Sequence, residues 1–332
     1  MKTSSLFFSG LLSGLAAIVL SSPTLQGRAV TTTELSQFKF FAQYAGASYC
    51  NSDNAPGQEV TCKADVCPAV TANKAVTVAS FTASVTDQRG FIAVDHAAKL
   101  IVLSFRGSVS VRNWIVDFIF TQTPCNLVPG CLLHTGFYAA WLELAPSVFS
   151  GIRSAVHANP SYRVIATGHS LGGAVATIAA AYLRKQLGYN IDLYTYGSPR
   201  AGNGVFAKFV TAGQGKGAEF RVTHAEDPVA RLPPIVFNYR HTSPEYWINS
   251  NDFSDTAAVK VCQGYANLDC NAGTGGFDMD NHGNYFGQIN GCDSTNGTTP
   301  FRRAAGISDE EIETKLDEWL ALDKEFVSSG EE

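Results

Sequence analysis

The stretch from 163 to 187 constrains the fold more than any other part of the chain. A short apolar run, RVIAT (163–167), leads into GHSLG (168–172), and small and apolar residues continue to Leu187. This order predicts a buried strand, a tight turn and a helix. Glycine stands two residues on either side of Ser170 because larger side chains would collide in such a turn. The Ser170 hydroxyl should then stand at the N-terminus of a helix, where free N–H groups stabilise developing negative charge.

The rest of the chain repeats this alternation of strands and helices. Such a pattern is typical of an α/β domain with a largely parallel sheet. No internal repeat or linker interrupts residues 31–292, so one domain is the simplest interpretation. The expected helices cover 32–49, 132–155 and 171–187, and the expected strands cover 77–86, 90–95, 99–105, 163–167, 192–196 and 220–223.

Composition excludes several classes of protein. The chain has 332 residues, of which 45% are hydrophobic and 16% charged, so it is not intrinsically disordered and can bury a full core. A net charge of −5 argues against a nucleic-acid-binding protein, which needs a basic face. The acidic residues are concentrated at the end. Residues 301–332 hold ten acidic and four basic side chains, so the rest of the chain carries a net charge of +1.

Residues 1–22 predict a secretory signal peptide. Lys2 supplies the positive start, residues 6–20 are apolar, and Ser21 and Ser22 offer a small-residue cleavage zone. A membrane anchor is the alternative, but this apolar run is shorter than the roughly 20 residues that span a bilayer. We therefore expect a secreted, extracellular protein without a transmembrane segment. A short pro-segment ending at Arg28 is compatible with the sequence.

Eight cysteines remain after the leader, and an even number in an exported protein predicts four disulfides. A metal site is disfavoured because no CxxC pair has a histidine nearby. Spacing is only a guide to the pairing. Local pairing would join Cys62 to Cys67, Cys125 to Cys131 and Cys262 to Cys270, and would leave Cys50 for Cys292.

A serine nucleophile needs a base and an acid, and in folds built around this turn the order is serine, acid, histidine. Four of the seven histidines precede Ser170, which leaves His224, His241 and His282. Because a base must approach from a separate loop, His224 is expected to be structural: it lies only three residues before Asp227. The pattern alone does not decide between His241 and His282.

The acid is expected just after the strand at 220–223. Glu226 and Asp227 both stand there, and Asp227 is the better placed of the two because Pro228 makes its turn rigid.

Beyond these individual residues, the sequence resembles the filamentous-fungal class 3 lipases over roughly residues 32–292. The resemblance rests on seven motifs in the order of that family. They are FRGS (105–108), RNW (112–114), HTGF (134–137), GHSLGGA (168–174), YTYGSPRAGN (194–203), RVTHAEDPVARLPP (221–234) and PEYW (244–247).

The resemblance implies a fold, a catalytic triad and a disulfide pattern. The fold is a single α/β-hydrolase-like domain over residues 31–292, with a mostly parallel central sheet, helices on both faces and a short helical lid. Asp227 matches the family's acid, and His282 in HGNYF matches its base. The family's cysteine pairing matches 50–292, 62–67 and 125–131, whereas the 262–270 bridge occurs only in some members.

Two further features surround the expected nucleophile. The backbone N–H of Leu171 is one expected oxyanion donor. The resemblance makes Ser108 the second, through its N–H and hydroxyl, and makes residues 106–120 the lid helix. The apolar lid positions have helical spacing, which also suits a core helix. Those proposed for the lid are Val111, Trp114, Ile115 and Phe118.

Residues 293–332 form an acidic extension. Ser308 and Glu311 have the spacing of a capping box, and the apolar stripe that follows predicts an amphipathic helix. The stripe consists of Ile312, Leu316, Trp319, Leu320 and Phe326. The dibasic pair 302–303 suggests that the extension is removed by proteolysis, and a simple solvated helix is the alternative. Asn296 lies in an N-x-T sequon and predicts a peripheral glycan.

Together these features predict a secreted triacylglycerol lipase that works at a lipid–water interface as a monomer, with no cofactor and no nucleic-acid partner. Ser170 would form an acyl-enzyme that water hydrolyses. A feruloyl esterase or phospholipase A1 of the same family is the alternative, but the apolar lid favours long-chain lipid. A catalytically inactive lipid-binding module and a serine peptidase are remote alternatives, because the triad is intact and nothing indicates a peptide cleft.

Overall fold

A computed structural model of the chain describes residues 28–63, 65–108, 115, 119–291 and 308–330. The predicted signal peptide, Asn296 and the dibasic pair 302–303 lie outside the described residues. In the described part of the chain, no helix is both long and apolar enough to cross a membrane.

The strands form one large sheet and one small one. The large sheet has the order β1-β2-β3-β6-β7-β8-β9-β10 and is parallel from β3 to β9. At its two ends the pairs β1–β2, β2–β3 and β9–β10 are antiparallel. β4 and β5 form a separate antiparallel pair. The bounds are β1 (Val76–Thr82), β2 (Arg89–Asp95), β3 (Leu100–Phe105), β4 (Gln122–Pro124), β5 (Leu132–His134), β6 (Arg163–His169), β7 (Ile191–Tyr196), β8 (Glu219–His224), β9 (Glu245–Ile248) and β10 (Val259–Cys262).

Helices cover both faces of the large sheet, as the predicted fold class requires. The helices are α1 (Thr32–Asn51), α2 (Pro68–Ala72), α3 (Thr135–Ala158), α4 (Leu171–Leu187), α5 (Gly204–Thr211), α6 (Met279–Gly283) and α7 (Asp309–Ser328). Leu100 and Val102 of β3 pack with α1, whereas Ile101 and Leu103 pack with α3 and α4. Consecutive strand residues point to opposite faces, so a strand that is buried on both sides has a continuous apolar sequence.

Small residues let α4 lie close to the sheet. Its alanines are buried almost completely in the core beneath α3, next to Trp141 and Ile152. On the opposite face, Phe38, Phe41 and Tyr44 of α1 are buried against the sheet. The two layers hold β6 rigidly, and the nucleophile turn follows directly from that strand.

The predicted helix at 132–155 is partly wrong. Residues 132–134 form β5, and α3 starts at Thr135 and ends at Ala158. His134 caps this helix, because its Nδ1 accepts a hydrogen bond from the Phe137 N–H at 3.3 Å. The sequence also did not predict several short elements, namely β4, β9, β10, α2, α5 and α6.

The acidic extension forms the predicted capped helix, α7. The Ser308 hydroxyl accepts from the Glu311 N–H at 3.2 Å, and the Glu311 carboxylate accepts from the Ser308 N–H at 2.7 Å. Ile312 and Leu316 are buried, so the helix docks onto the protein and is not free in solvent. The capping-box prediction is therefore confirmed.

Candidate active site

The serine at the turn has the backbone of a nucleophile elbow. Ser170 stands between the end of β6 and the start of α4, with φ 56° and ψ −132°. The glycines explain why the turn closes: a β-carbon on Gly168 would stand 2.4 Å from the Gly172 carbonyl carbon. One on Gly172 would stand 2.2 Å from the carbonyl oxygen of Phe105. The N-terminus of α4 can therefore lie directly against the end of β3, where the oxyanion loop begins.

Asp227 and His282 meet beside this turn. The His282 Nδ1–H donates to both carboxylate oxygens of Asp227 at 2.9 Å, and both side chains are completely buried. Asp227 comes from the turn after β8, and His282 comes from the short helix α6. The two residues are 55 positions apart in sequence, so each reaches the pair from its own loop.

Two further donors fix the carboxylate of Asp227. Tyr285 donates its hydroxyl to Oδ2 at 2.6 Å, and the Val229 N–H donates to Oδ1 at 2.9 Å. Burial alone would raise the pKa of Asp227. The His282 ring and these hydrogen bonds outweigh burial and hold that pKa below its usual value. Asp227 is thus an anion that can orient an imidazole and stabilise its positive charge.

The other ring nitrogen of His282 is the one that a general base would use. His282 Nε2 is buried and has no hydrogen-bond partner among the described residues. The ring of His169, which directly precedes Ser170, lies 4.5 Å from the His282 ring between centroids. No hydrogen bond joins Ser170 to His282 Nε2 in the described structure; catalytic hydrogen bonds of this kind often tighten only as the reaction proceeds.

The side chains of the two remaining histidine candidates bond to backbone carbonyls and not to Asp227. His241 is buried at another place, where its Nε2 bonds the Ala230 carbonyl at 2.7 Å. Burial and nearby arginines lower the pKa of His241 well below its ordinary value. His224 is buried with its Nδ1 3.2 Å from the Asn281 carbonyl, in line with the structural role expected for it.

The predicted oxyanion donors flank the turn. Leu171 is the first residue of α4, so its N–H belongs to the free N-terminal groups of that helix. Ser108 is half-buried at the end of the loop after β3. The sheet brings this loop to the nucleophile because Phe105 of β3 pairs with Gly168 of β6.

Two residues that the sequence did not predict contact or crowd the Asp227–His282 pair. Tyr285 stands in HGNYF, but an aromatic residue three positions after a histidine carries no specific signal. Gly197 has φ +54°, and a β-carbon there would stand 2.6 Å from Asp227 Oδ2 and 3.0 Å from His282 Nδ1. A glycine before Ser-Pro indicates a turn, but only the fold shows what the turn approaches.

Three of the four predicted disulfides are present: Cys62–Cys67, Cys125–Cys131 and Cys262–Cys270. Cys292 lies outside the described residues, so its pairing with Cys50 stays a prediction. In the described part of the chain, no group of histidine, cysteine and acidic side chains is arranged to hold a metal ion.

The lid is described at only a few positions. Val111, Trp114 and Phe118 lie outside the described residues, and residues 106–108 at the start of the predicted lid helix are not helical. Ile115 is described and is 2% exposed. It packs with Val229 and Leu232, which follow Asp227, and with residues of α7.

The acidic extension packs against the same cluster around Ile115. Ile312 and Leu316 of α7 share a cluster with Ile115, and Trp319 meets the Phe120 ring edge-on at 5.1 Å. Asp323 is buried, accepts from the Val236 N–H at 3.0 Å and lies 3.8 Å from the Arg200 guanidinium. The helix is thus attached at both ends to segments around the candidate site.

A parallel sheet, a strand–serine–helix elbow and a buried histidine–aspartate pair define an α/β-hydrolase. Comparisons with known proteins narrow this class. Residues 102–237 match the family model described as lipase (class 3), and residues 8–77 match the lipase 3 N-terminal region. The chain belongs to the class 3 lipase family.

Individual relatives agree with this membership. The chain is 50% identical over 308 residues to secreted mono- and diacylglycerol lipase 1 of Fusarium solani, covering 91% of this chain and 90% of that protein. It superposes on mono- and diacylglycerol lipase from Aspergillus oryzae with a TM-score of 0.74 at 38% identity, covering 79% and 100%. A second structure, titled for a serine protease triad at the catalytic centre of a triacylglycerol lipase, matches with a TM-score of 0.69 at 30% identity, covering 80% and 99%.

Proposed function

We propose that this protein is secreted and hydrolyses the carboxylic ester bonds of acylglycerols at a lipid–water interface. The observation that carries the proposal is the buried Asp227–His282 pair, joined at 2.9 Å beside the Ser170 elbow. In this proposal Ser170 attacks the ester carbonyl, His282 Nε2 takes the serine proton, and Asp227 keeps the imidazole in the required tautomer. The oxyanion would be bound by the Leu171 N–H and by Ser108.

The proposed cycle passes through an acyl-enzyme, and His282 carries the proton in each half of it. His282 returns its proton to the leaving glycerol oxygen, and the acyl group remains on Ser170. Water then attacks the acyl-enzyme while His282 takes its proton. The bond between the acyl carbon and Ser170 Oγ breaks, His282 returns the proton to Oγ, and the fatty acid leaves. Because Asp227 is held as an anion, it can stabilise the imidazolium in both steps.

The comparisons support acylglycerols as the substrate class. The relatives that are 50% and 38% identical are named for mono- and diacylglycerols, and the 30% identical one for triacylglycerol. We therefore expect mono- and diacylglycerols to be hydrolysed faster than triacylglycerol. The apolar character of Ile115 and its neighbours suits a long acyl chain better than a phenolic acid.

Titrimetric release of fatty acid tests this proposal. Wild type and Ser170→Ala are compared on emulsified monoacyl-, diacyl- and triacylglycerol, with a phospholipid and a feruloyl ester as reference substrates. We expect release from the glycerol esters by wild type only. Release by Ser170→Ala at the wild-type rate, or activity confined to the feruloyl ester, would contradict the proposal.

We also propose that α7 holds the lid region closed. The helix packs on Ile115 and, through Trp319, on Phe120, and both contacts must break if residues 106–120 move as a lid. A lipid surface that binds the apolar side of the lid would favour the open state. Activity per enzyme should then rise when the substrate passes from monomeric to emulsified, and proteolysis between residues 292 and 308 should release the helix.

A further inference from the structure

Tyr49 is far from Ser170, Asp227 and His282 in sequence, but it connects the nucleophile turn, the backbone of His282 and the oxyanion loop. Tyr49 lies in the last turn of α1, and its hydroxyl is 2.8 Å from Nδ1 of His169, 120 residues later. His169 is completely buried and directly precedes Ser170. Its other nitrogen, Nε2, is 2.8 Å from the carbonyl oxygen of His282. Tyr49 and His169 thus form a chain of hydrogen bonds that ends on the backbone of the candidate base.

The hydrogen-bond partners determine where the protons lie. A carbonyl oxygen only accepts, so His169 Nε2 must carry a hydrogen and donate to His282. In a neutral imidazole Nδ1 is then an acceptor, and the Tyr49 hydroxyl donates to it. Burial raises the pKa of Tyr49 above its usual range, which keeps this phenol protonated as a donor. Burial and the adjacent His282 ring lower the pKa of His169 well below its ordinary value, so the ring is neutral.

The same hydroxyl touches the oxyanion loop. A β-carbon on Gly107, the residue before Ser108, would stand 2.0 Å from the Tyr49 Oη and 2.8 Å from the carbonyl oxygen of His169. The loop backbone therefore lies directly on the Tyr49–His169 pair. Displacing either side chain would displace the loop that presents Ser108.

We propose that Tyr49 is a positioning residue for ester hydrolysis, whose hydroxyl holds His169 as a neutral donor to the His282 backbone and supports the oxyanion loop. The proposal rests on the proposed function. Neutrality of His169 matters because its ring is 4.5 Å from that of His282 between centroids. A positive charge at that distance would oppose the imidazolium that His282 forms when it takes the Ser170 proton.

The sign of the pH effect follows from the hydrogen bond. Donation by Tyr49 favours the neutral form of His169, so its loss raises the pKa of His169 towards the ordinary value. His169 then becomes charged at a higher pH, and activity should decline earlier on the acid side. Four titratable or charged groups face the Tyr49–His169 pair. They are His282 in α6, Tyr285 just after α6, Asp227 in the turn after β8, and Arg106 beside Tyr49.

Tyr49→Phe tests the proposal, with Tyr44→Phe as the matched control. Tyr44 is on the same helix and is buried, but its hydroxyl donates to Asp95 at 2.9 Å, away from the triad. On a monomeric p-nitrophenyl ester we expect Tyr49→Phe to lower kcat about 10- to 100-fold, as for displaced catalytic groups, with KM unchanged. The acid limb of its kcat profile should move to higher pH, and Tyr44→Phe should change neither property.

Two additional measurements separate this proposal from a purely structural role and from failure of the proposed function. In the double variant Tyr49→Phe/His169→Gln the shift of the acid limb should disappear, because glutamine does not titrate. NMR of the imidazole groups should show His169 as the Nε2–H tautomer in wild type and titrating at higher pH in Tyr49→Phe, whether or not the ester is hydrolysed. Equal kcat and pH profiles for the two tyrosine variants, or an Nδ1–H tautomer in wild type, would overturn the proposal.

Discussion

Gly197 lies so close to Asp227 that a β-carbon on the glycine would stand 2.6 Å from the Asp227 carboxylate. The same β-carbon would stand 3.0 Å from His282 Nδ1 and 3.0 Å from the Tyr285 hydroxyl. The backbone after β7 therefore forms one wall of the histidine–aspartate pair. A side chain at this position cannot be accommodated unless the pair moves.

Gly197→Ala should accordingly lose activity well beyond its loss of stability. Gly213 is a matched control, because it has φ +53° against +54° for Gly197 and no described atom lies within 4 Å of its β-carbon position. Both substitutions cost about 1 to 2 kcal/mol of backbone strain. Only Gly197→Ala should also lower kcat, by on the order of 100-fold, since it displaces the pair.

Initial rates on a soluble ester and urea unfolding of both variants provide the comparison. If Gly213→Ala loses as much activity as Gly197→Ala, backbone strain rather than crowding of the pair explains the effect.

Detaching α7 should release the lid region. Leu316 is buried against the cluster that contains Ile115, whereas Leu322 on the same helix is 43% exposed. Leu316→Ser removes a contact worth about 2 kcal/mol. If that contact favours the closed state, activity on monomeric ester should rise by up to about thirtyfold, and the additional gain on emulsified substrate should shrink.

Leu322→Ser is the control and should behave as wild type. Specific activity is measured on either side of the solubility limit of one ester for all three proteins. An unchanged ratio of the two rates in Leu316→Ser would mean that α7 is a structural helix without influence on access.

Acid should destabilise the fold through His134. This side chain is 7% exposed, its Nε2–H donates to the Ile119 carbonyl at 2.9 Å, and its Nδ1 accepts at the start of α3. Burial lowers the pKa of His134 from 6.5 to about 4. At a pH between these two pKa values, His134 binds a proton in the unfolded chain but not in the folded one. The free energy of unfolding therefore falls as the pH drops from 6.5 to 4. The difference between the two pKa values of His134 corresponds to about 3 kcal/mol of unfolding free energy at the acid end of this range.

His134→Asn should remove this part of the pH dependence, because asparagine also caps helices and does not titrate. Urea midpoints of both proteins at pH 7 and pH 4.5 test it. We expect the midpoint of wild type to fall more than that of the variant. Equal shifts would assign the acid sensitivity to other buried groups such as His169 and His241.

Local signals predicted much of the fold and some parts of the site. The helix at 171–187 was predicted with its observed bounds, because the glycine turn starts it and Gly188, with φ +72°, ends it. The Ser308–Glu311 capping box likewise needs only neighbouring residues. Asp227 could be proposed because it follows a clear strand and precedes proline.

Features that depend on contacts between distant residues were not predictable in this way. β9 and β10 have four residues each; β9 becomes a strand because β8 offers a parallel edge, and β10 because it pairs antiparallel with β9. Spacing alone left His241 and His282 equivalent. The resemblance of HGNYF to the family motif favoured His282, and the packing of α6 brings this residue to Asp227. The contact of Tyr49 with His169 joins residues 120 positions apart and has no local signature. The burial of Asp323 inside an otherwise amphipathic stripe depends on Arg200, which lies in another part of the chain.

The most direct test of the central claim, that His282 activates Ser170 as a nucleophile, is mass spectrometry of the protein after reaction with a p-nitrophenyl alkylphosphonate ester. We expect one phosphonyl adduct on the peptide that contains Ser170, no adduct there in Ser170→Ala, and a reaction slower by orders of magnitude in His282→Gln. An adduct on another residue at the same rate in wild type and both variants would contradict it.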